Sequence, residues 1–189
     1  MKYPEPVCKE SKKWDYQEEI DYIVSNPKRN EFIKNLVMSL KGNSLVLFQF
    51  VEKHGKNLYE IIKQEAGDRK VFFVFGGTEI ADREDIRRIT ELENDAIIVA
   101  SYGTFSTGIN IRNLHNIIFA SPTKSKIRNL QSVGRGLRKG DEKTFCNLYD
   151  IGDDLTWKAR KNYTLLHMIE RIKTYNDEHF DYKLVKVPL

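Results

Sequence analysis

The amino-acid sequence predicts an α/β fold with a doubly wound, mainly parallel sheet and helices on both of its faces. Five short apolar runs, rich in Val, Ile and Phe, are nearly continuous rather than alternating, which is typical of strands buried on both faces. The longer segments between the runs place apolar residues at helical spacing. Repeated strand–helix–strand units predict right-handed crossovers, and ligands of such sheets bind at the carboxyl ends of the strands.

The individual elements follow from these patterns in chain order. Asn26 and Pro27 predict the start of a helix, because an N-cap residue is followed by proline at the first helical position. Gly42 fits the C-terminal cap of the same helix. The predicted strands are the five apolar runs Leu45–Phe50, Val71–Phe75, Ala96–Ala100, Ile117–Ala120 and Phe145–Tyr149. The further predicted helices are the amphipathic segments His54–Glu65, Asp82–Leu92, Ser125–Leu137 and Thr156–Tyr175.

The length of 189 residues fits one domain with a small appendage. Residues 1–25 show no clear period, so we predict a linker or an arm that packs on a partner. Residues 26–150 are predicted to form the doubly wound domain. Residues 151–189 are predicted to form a C-terminal helix and tail that pack on the same domain.

Charge, hydropathy and cysteine content exclude several classes of protein. The 31 Lys and Arg against 27 Asp and Glu give a net charge of +4, which is compatible with a nucleic-acid partner but does not by itself indicate one. The longest apolar run, Val71–Phe75, is far shorter than the ~20 residues that span a bilayer, and the start has no signal-peptide core. Cys8 and Cys146 cannot form a disulfide framework. We therefore expect a cytoplasmic protein with no membrane partner.

The segment 131–140 (QSVGRGLRKG) is a candidate site at the end of a predicted helix. Arg135 and Arg138 are three residues apart, so both side chains can project from one helix face. Two guanidinium groups directed at one point are suited to binding a phosphate oxyanion. A solvated basic helix end, favoured by the helix dipole, is the alternative interpretation.

Two further candidate loops follow predicted strands. The loop that starts at Ser101 contains small hydroxyl residues and glycines, including Thr104 and Gly108, whose backbone N–H groups can hold phosphate. The turn Gly76-Gly77-Thr78 leads directly into a predicted helix, and Thr78 can be its N-cap. The N-terminus of that helix can bind a phosphate. The alternatives are an ordinary Gly/Ser/Thr loop and a simple capped turn.

Taken together and in this order, the three segments resemble the second RecA-like domain of superfamily-2 helicases and translocases, over roughly residues 42–150. The sixth motif of that family has the form Q-x-x-G-R-x-x-R, and it is matched at every defined position by Gln131, Gly134, Arg135 and Arg138. The fifth motif ends in Gly-x-Asp or Gly-x-Asn, and this end is matched by Gly108 and Asn110. The sequence is most similar to the bacteriophage DNA helicases of this superfamily. The resemblance implies an ATP-dependent DNA helicase or branch-migrating translocase of recombination, repair and replication, in the host cytoplasm if it is phage-encoded.

For the nucleotide, the resemblance implies that ATP with Mg²⁺ lies between two RecA-like domains and is held mainly by an N-terminal domain outside this chain. Arg138 would be the arginine finger and Arg135 its neighbour on the phosphates, as the catalytic pair. Such a finger is worth ~10³–10⁵ in rate in GTPases. Gln131, Gly108 and Asn110 would bind the nucleotide.

For the nucleic acid, the resemblance implies a track across both domains. Thr78, Ser101 and Thr104 are then the candidates for contacts with the phosphates of branched or single-stranded DNA. Phosphate contacts carry no base information, so we expect binding that is independent of sequence.

The printed sequence contains no Gly-x-x-x-x-Gly-Lys-Ser/Thr, and none of its apolar runs ends in an Asp-Glu pair. The four histidines and two cysteines have no metal-site spacing, so no resident metal is expected. We therefore expect half of an ATPase site, inactive alone, in a longer parent whose Walker domain lies N-terminal to residue 1.

Two other functions are possible interpretations of the same sequence. The first is a stand-alone nucleic-acid-binding module without a role for ATP. The second is a small-molecule enzyme, which lacks support because no Gly-x-Gly-x-x-Gly follows the first strand and no nucleophile–base pair stands at a suitable position.

Overall fold

The computed structural model describes residues 1–106, 113–123 and 146–189. Within these ranges, five strands form one sheet in the order β2-β3-β1-β4-β5, and each neighbouring pair is parallel. The strands are β1 (Ser44–Phe48), β2 (Val71–Val74), β3 (Ile97–Ser101), β4 (Asn116–Phe119) and β5 (Asn147–Asp150). The predicted α/β fold with a parallel sheet is confirmed.

Helices cover both faces of this sheet. They are α1 (Glu5–Ser11), α2 (Tyr16–Ser25), α3 (Pro27–Ser39), α4 (Lys56–Glu65), α5 (Ile80–Leu92), α6 (Tyr102–Ser106) and α7 (Tyr163–Asp177), with a π-helix at Val51–Gly55. Because side chains alternate along a strand, Val46 of β1 packs with α3 and α4 on one face. Its neighbour Leu47 packs on the other face, where α5 contributes Ile86.

The central strands explain the continuous apolar runs of the sequence. All residues of β1 and β4 are buried, as are the first four of β3, whereas β2 at the sheet edge is mostly half-buried. A strand between two helical layers has no solvent-facing side, so polar alternation is absent.

The predicted start of α3 is confirmed, whereas its predicted cap at Gly42 is wrong. The Asn26 side chain accepts a hydrogen bond from the Arg29 N–H (3.1 Å), as an N-cap does. The helix ends at Ser39, and Gly42 instead has a φ of +86° in the turn before β1. A Cβ at Gly42 would lie 2.6 Å from Cγ of His115, so both conformation and space require glycine there.

Other predicted boundaries also differ from the observed ones, and three of them, wrong by two to seven residues, show how contacts in the fold override local pattern. The strand β1 ends at Phe48 rather than Phe50, since the Gln49 N–H bonds the Ser121 hydroxyl at 3.0 Å. The predicted helix His54–Glu65 has its first two residues in the π-helix, so the α-helix α4 starts at Lys56 rather than His54. The last helix starts at Tyr163 rather than Thr156, because Trp157 and Arg160 form a short antiparallel bridge first.

Residues 1–25 contain two helices that the sequence pattern did not predict. Asp15 and Glu18 form a capping box at the start of α2, a local signal that was present in the sequence. Tyr3, Cys8 and Ile23 of this segment pack with Leu155 in a separate apolar cluster. The division into 1–25, 26–150 and 151–189 stays a prediction. None of the helices in the described ranges is long and apolar enough to cross a bilayer.

Candidate functional site

All strands of a parallel sheet end at one edge, which gathers the loops that follow them. Val74 of β2 lies beside Ala100 of β3, and Phe48 of β1 lies beside Ser101. The turn that carries Thr78 and the loop that carries Ser101 and Thr104 therefore leave neighbouring strands at this edge. The structure thus brings the three predicted nucleic-acid residues to one side of the sheet.

Ser101 and Thr104 form a hydroxyl pair at the start of α6. Their side-chain oxygens are 2.8 Å apart, and the Thr104 N–H donates to the Ser101 Oγ at 3.3 Å. Ser101 thereby satisfies one of the free N–H groups of the first helical turn. Ser101 is half-buried and Thr104 is buried, so Ser101 is the more accessible of the two.

Thr78 closes the turn after β2, and its predicted role as helix cap is wrong. Its hydroxyl accepts from the Phe75 N–H at 3.0 Å, and its own N–H donates to the Phe75 carbonyl at 2.9 Å. The N-cap of α5 is Glu79, which makes no side-chain cap bond. Arg83 of α5 donates to the Gly76 carbonyl at 3.0 Å, so the turn is held from the helix as well.

The chain leaving β4 forms a buried polar centre below this edge. The Ser121 hydroxyl contacts Nδ1 of His54 at 2.7 Å, and the Tyr102 hydroxyl donates to the Ser121 carbonyl at 3.1 Å. His54 lies on the π-helix, whose wider turn follows β1 directly. Ser121 therefore links β4 with the π-helix after β1 and the helix after β3.

The His54 ring is neutral, and its surroundings define its tautomer. Asn30 donates to the Val24 carbonyl through Nδ2, so its Oδ1 faces Nε2 of His54 at 3.1 Å. Nε2 must then carry the proton, and Nδ1 accepts from the Ser121 hydroxyl. Burial, with the charge of Arg29 as a second cause, lowers the pKa of His54 to about 3.

Two buried ion pairs flank this centre, and sequence reasoning missed both. Arg171 binds both carboxylate oxygens of Asp150, at 2.7 and 2.8 Å, and Tyr175 donates to the same carboxylate at 2.9 Å. Arg29 binds Asp153 in the same two-pronged way at 2.7 and 2.9 Å, with both side chains fully buried. The partners are 21 and 124 residues apart, so no local pattern signals them.

The predicted nucleotide-binding residues lie outside the described ranges. They are Gly108, Asn110, Gln131, Arg135 and Arg138, and the predicted helix Ser125–Leu137 lies there as well. The described residues contain no group of three or more His, Cys, Asp or Glu side chains that could hold a metal ion. The roles assigned to these five residues stay predictions.

A parallel α/β sheet with hydroxyl-bearing loops at its carboxyl edge is shared by proteins of many functions, so the class is defined by comparison with known families. The chain belongs to the helicase conserved C-terminal domain family, whose model matches residues 28–140. This confirms the family that the sequence motifs indicated.

Comparison with individual proteins shows similarity to a phage enzyme. The chain is 38% identical to the ATP-dependent DNA helicase UvsW of Enterobacteria phage T4, over all of this chain and 40% of that protein. The crystal structure of T4 UvsW superposes with a TM-score of 0.86 over the same shares of the two chains. The chain thus spans about 40% of the length of this relative.

A more distant structure shows the same fold. Saccharomyces cerevisiae Dbp5, solved in complex with Gle1, superposes with a TM-score of 0.58 at 13% identity, over 86% of this chain and 39% of that one. The RecA-like helicase fold is therefore confirmed independently of close sequence similarity.

Proposed function

We propose that this chain is the second motor domain of an ATP-dependent DNA helicase or branch-migrating translocase that acts in recombination, repair and replication. The observation that carries the proposal is the likeness to UvsW along the whole chain, in sequence and in structure. The assignment to branch migration and to these processes rests on the sequence resemblance. A cytoplasmic location, in the host if the protein is phage-encoded, belongs to the same proposal.

In this proposal, the chain contributes one wall of a nucleotide cleft. Arg138 serves as the arginine finger, Arg135 binds the neighbouring phosphates, and Gln131, Gly108 and Asn110 contact the nucleotide. An N-terminal RecA-like domain of the same parent protein holds most of the ATP and the Mg²⁺. Charge placed against the transferring phosphoryl group lowers the barrier without any covalent chemistry by the protein.

The chain also contributes part of the DNA track. The grouping of Thr78, Ser101 and Thr104 at one sheet edge supports this role, because hydroxyls and helix N-termini are common phosphate ligands. The burial of Thr104 and its pairing with Ser101 make Ser101 the stronger candidate for direct contact. Two DNAs of equal length and unrelated sequence should therefore bind with similar Kd.

The proposal is tested by ATP hydrolysis with this chain alone and joined to its N-terminal half, each with and without branched DNA. We expect no measurable turnover by the chain alone, and turnover that DNA stimulates in the joined protein. Turnover by the chain alone, or a joined protein that never hydrolyses ATP, would refute the proposal. A joined protein that binds DNA but does not hydrolyse ATP would instead support a nucleic-acid-binding module.

A further inference from the structure

Two segments that are far apart in the sequence meet on the surface beyond β5. They are residues 12–14 (Lys-Lys-Trp), which follow α1, and residues 157–161 (Trp-Lys-Ala-Arg-Lys), which precede α7. The Arg160 guanidinium donates to the carbonyls of Ser11 and Trp14 at 3.4 and 3.5 Å. Trp14 and Trp157 pack against the same apolar cluster. The fold therefore holds the two segments side by side.

The second segment is a tight turn that presents its lysines to solvent. Trp157 and Arg160 exchange two backbone hydrogen bonds, at 3.1 and 3.0 Å. Lys158 lies within this turn with a φ of +52°, and both Lys158 and Lys161 are exposed. The backbone thus fixes where these two charges stand.

The two segments carry positive charge that the fold does not neutralise. Their five basic side chains are all exposed, namely those of Lys12, Lys13, Lys158, Arg160 and Lys161. The segments contain no acidic residue, whereas the whole chain has 27 Asp and Glu against 31 Lys and Arg. In the part of the chain that the structure describes, none of the five forms an ion pair, although exposed lysines such as Lys56 and Lys70 do. Such a patch attracts a polyanion.

Aromatic rings lie beside these charges. Tyr16 of α2 and Tyr163 of α7 meet edge-on with ring centroids 6.0 Å apart, yet remain 37% and 39% exposed. Arg160 lies over the Tyr163 ring at 6.0 Å, which joins the rings to the basic residues. The two segments and the two tyrosines form what we call the basic–aromatic surface. Single-stranded nucleic acid fits it, because cations hold phosphates while bases stack on aromatic rings.

This surface is separate from the loops proposed as the DNA track. Thr78 and Ser101 follow β2 and β3, whereas the basic–aromatic surface follows β5. The strands β2 and β5 are the two edges of the sheet, four strand spacings or about 19 Å apart. A strand of DNA on the track and a second strand on this surface therefore do not compete for the same residues.

We propose that the basic–aromatic surface is a second binding site, for single-stranded DNA, outside the track of the motor. The four lysines bind phosphates, and Tyr163 stacks on a base. The choice of DNA rests on the proposed function, whereas the binding itself requires neither ATP nor a second domain. In a branched substrate, this site holds a strand that the track does not.

The test follows tryptophan fluorescence while oligo(dT) is added to this chain without ATP. Both tryptophans of the sequence, Trp14 and Trp157, belong to the surface and are half-buried, so their fluorescence reports a ligand there rather than at the track. We expect oligo(dT) to quench this fluorescence, with a Kd that rises with salt. Oligo(dT) that binds, as measured by the anisotropy of a label on the DNA, without changing the tryptophan signal would overturn the inference.

The double variant Lys158→Ala with Lys161→Ala removes two of the phosphate contacts. Each contact with a single strand contributes about 0.7 to the slope of log Kd against log salt, so the slope should fall by about 1.4. This corresponds to a Kd about 25-fold higher at about 0.1 M salt. Lys41→Ala with Lys63→Ala removes two exposed lysines before β1 and in α4 and is the matched control, whose Kd should not change. Equal effects of the two double variants would contradict the site.

Tyr163→Leu tests the stacking, because leucine keeps an apolar side chain but has no ring. The Kd for oligo(dT) should rise about ten-fold, and the Kd for an abasic oligonucleotide with the same number of phosphates should not change. Tyr182→Leu makes the same change at a tyrosine that is 46% exposed in the C-terminal tail and should have no effect. A Tyr163→Leu variant that binds both ligands more weakly to the same extent would argue against stacking.

The remaining outcomes separate the ligand and the two proposals. Polyglutamate that quenches the tryptophans as strongly as oligo(dT) of equal charge would overturn the assignment and indicate an acidic protein as the partner. A full-length parent protein that never hydrolyses ATP would refute the proposed function. The fluorescence titration requires no ATP, so its failure would refute the second DNA site alone.

Discussion

Acidification should destabilise this chain through His54. The folded-state pKa of about 3 lies below the unfolded value near 6.5, so the unfolded state binds more protons between these values. Stability is therefore complete above about pH 6.5 and decreases as the pH falls toward 3. At pH 5 the difference in proton binding amounts to ~2 kcal/mol, a large share of a typical folding free energy.

The physical cause is specific to the surroundings of the imidazole. Among the described residues, the partner of Nδ1 is the Ser121 hydroxyl, which would have to turn its own proton away to accept a bond from a protonated Nδ1. The nearby Arg29 charge also opposes a second positive charge. Protonation therefore favours the unfolded state, in which the imidazole is solvated.

The assay is urea denaturation at pH 7, 6 and 5, followed by the fluorescence of Trp14 and Trp157. We expect the unfolding free energy to drop by ~2 kcal/mol from pH 7 to 5 in the unsubstituted chain. The drop should be much smaller in His54→Gln, which does not titrate, and unchanged in the exposed His179→Asn. A His54→Gln variant that retains the full pH dependence would show that His54 is not the group responsible.

Two further stability predictions concern Asp153 and Gly42. Asp153→Asn leaves the buried Arg29 charge uncompensated and should cost ~3–5 kcal/mol in urea denaturation, whereas the half-exposed Asp154→Asn should cost less than ~1 kcal/mol. Equal costs would contradict the assigned burial. Gly42→Ala should lower the unfolding free energy by ~1–3 kcal/mol, because φ is +86° and an imidazole ring lies 2.6 Å from the new Cβ. Gly76→Ala, with open space around the new methyl group, is the control, and a cost equal to that of Gly42→Ala would argue against the steric reason.

Local sequence patterns predicted the strands well, because burial on both faces leaves a strong compositional signature. Each of the five predicted runs contains or overlaps an observed strand, and the Asn26 cap lies where expected. The errors concern boundaries that distant contacts decide. The end of β1 depends on a hydroxyl 72 residues away, and the start of α7 depends on bonds that Asn162 makes to residues as far away as Glu19.

The candidate site was predictable only in part. The sequence placed Thr78, Ser101 and Thr104 at the carboxyl edge of the sheet, where they lie, because parallel strands share their carboxyl ends. Their contact with nucleic acid stays a prediction. The sequence did not predict that the Thr78 hydroxyl binds the Phe75 N–H within the turn instead of capping the helix. Threonine is common both at helix N-caps and in turns, so the residue type does not distinguish the two roles. The buried pairs of Arg29 and Arg171 arise from tertiary proximity, which charge spacing along the chain does not encode.

Under the proposed function, Arg138 of this chain completes a nucleotide cleft. The most direct measurement is ATP hydrolysis and DNA binding by the full-length parent with Arg138→Ala, beside Arg138→Lys. We predict that Arg138→Ala lowers the DNA-stimulated kcat by ~10³-fold or more, that lysine restores little, and that the Kd for DNA changes only slightly. A variant that hydrolyses ATP normally and has lost its DNA affinity would contradict this role of Arg138.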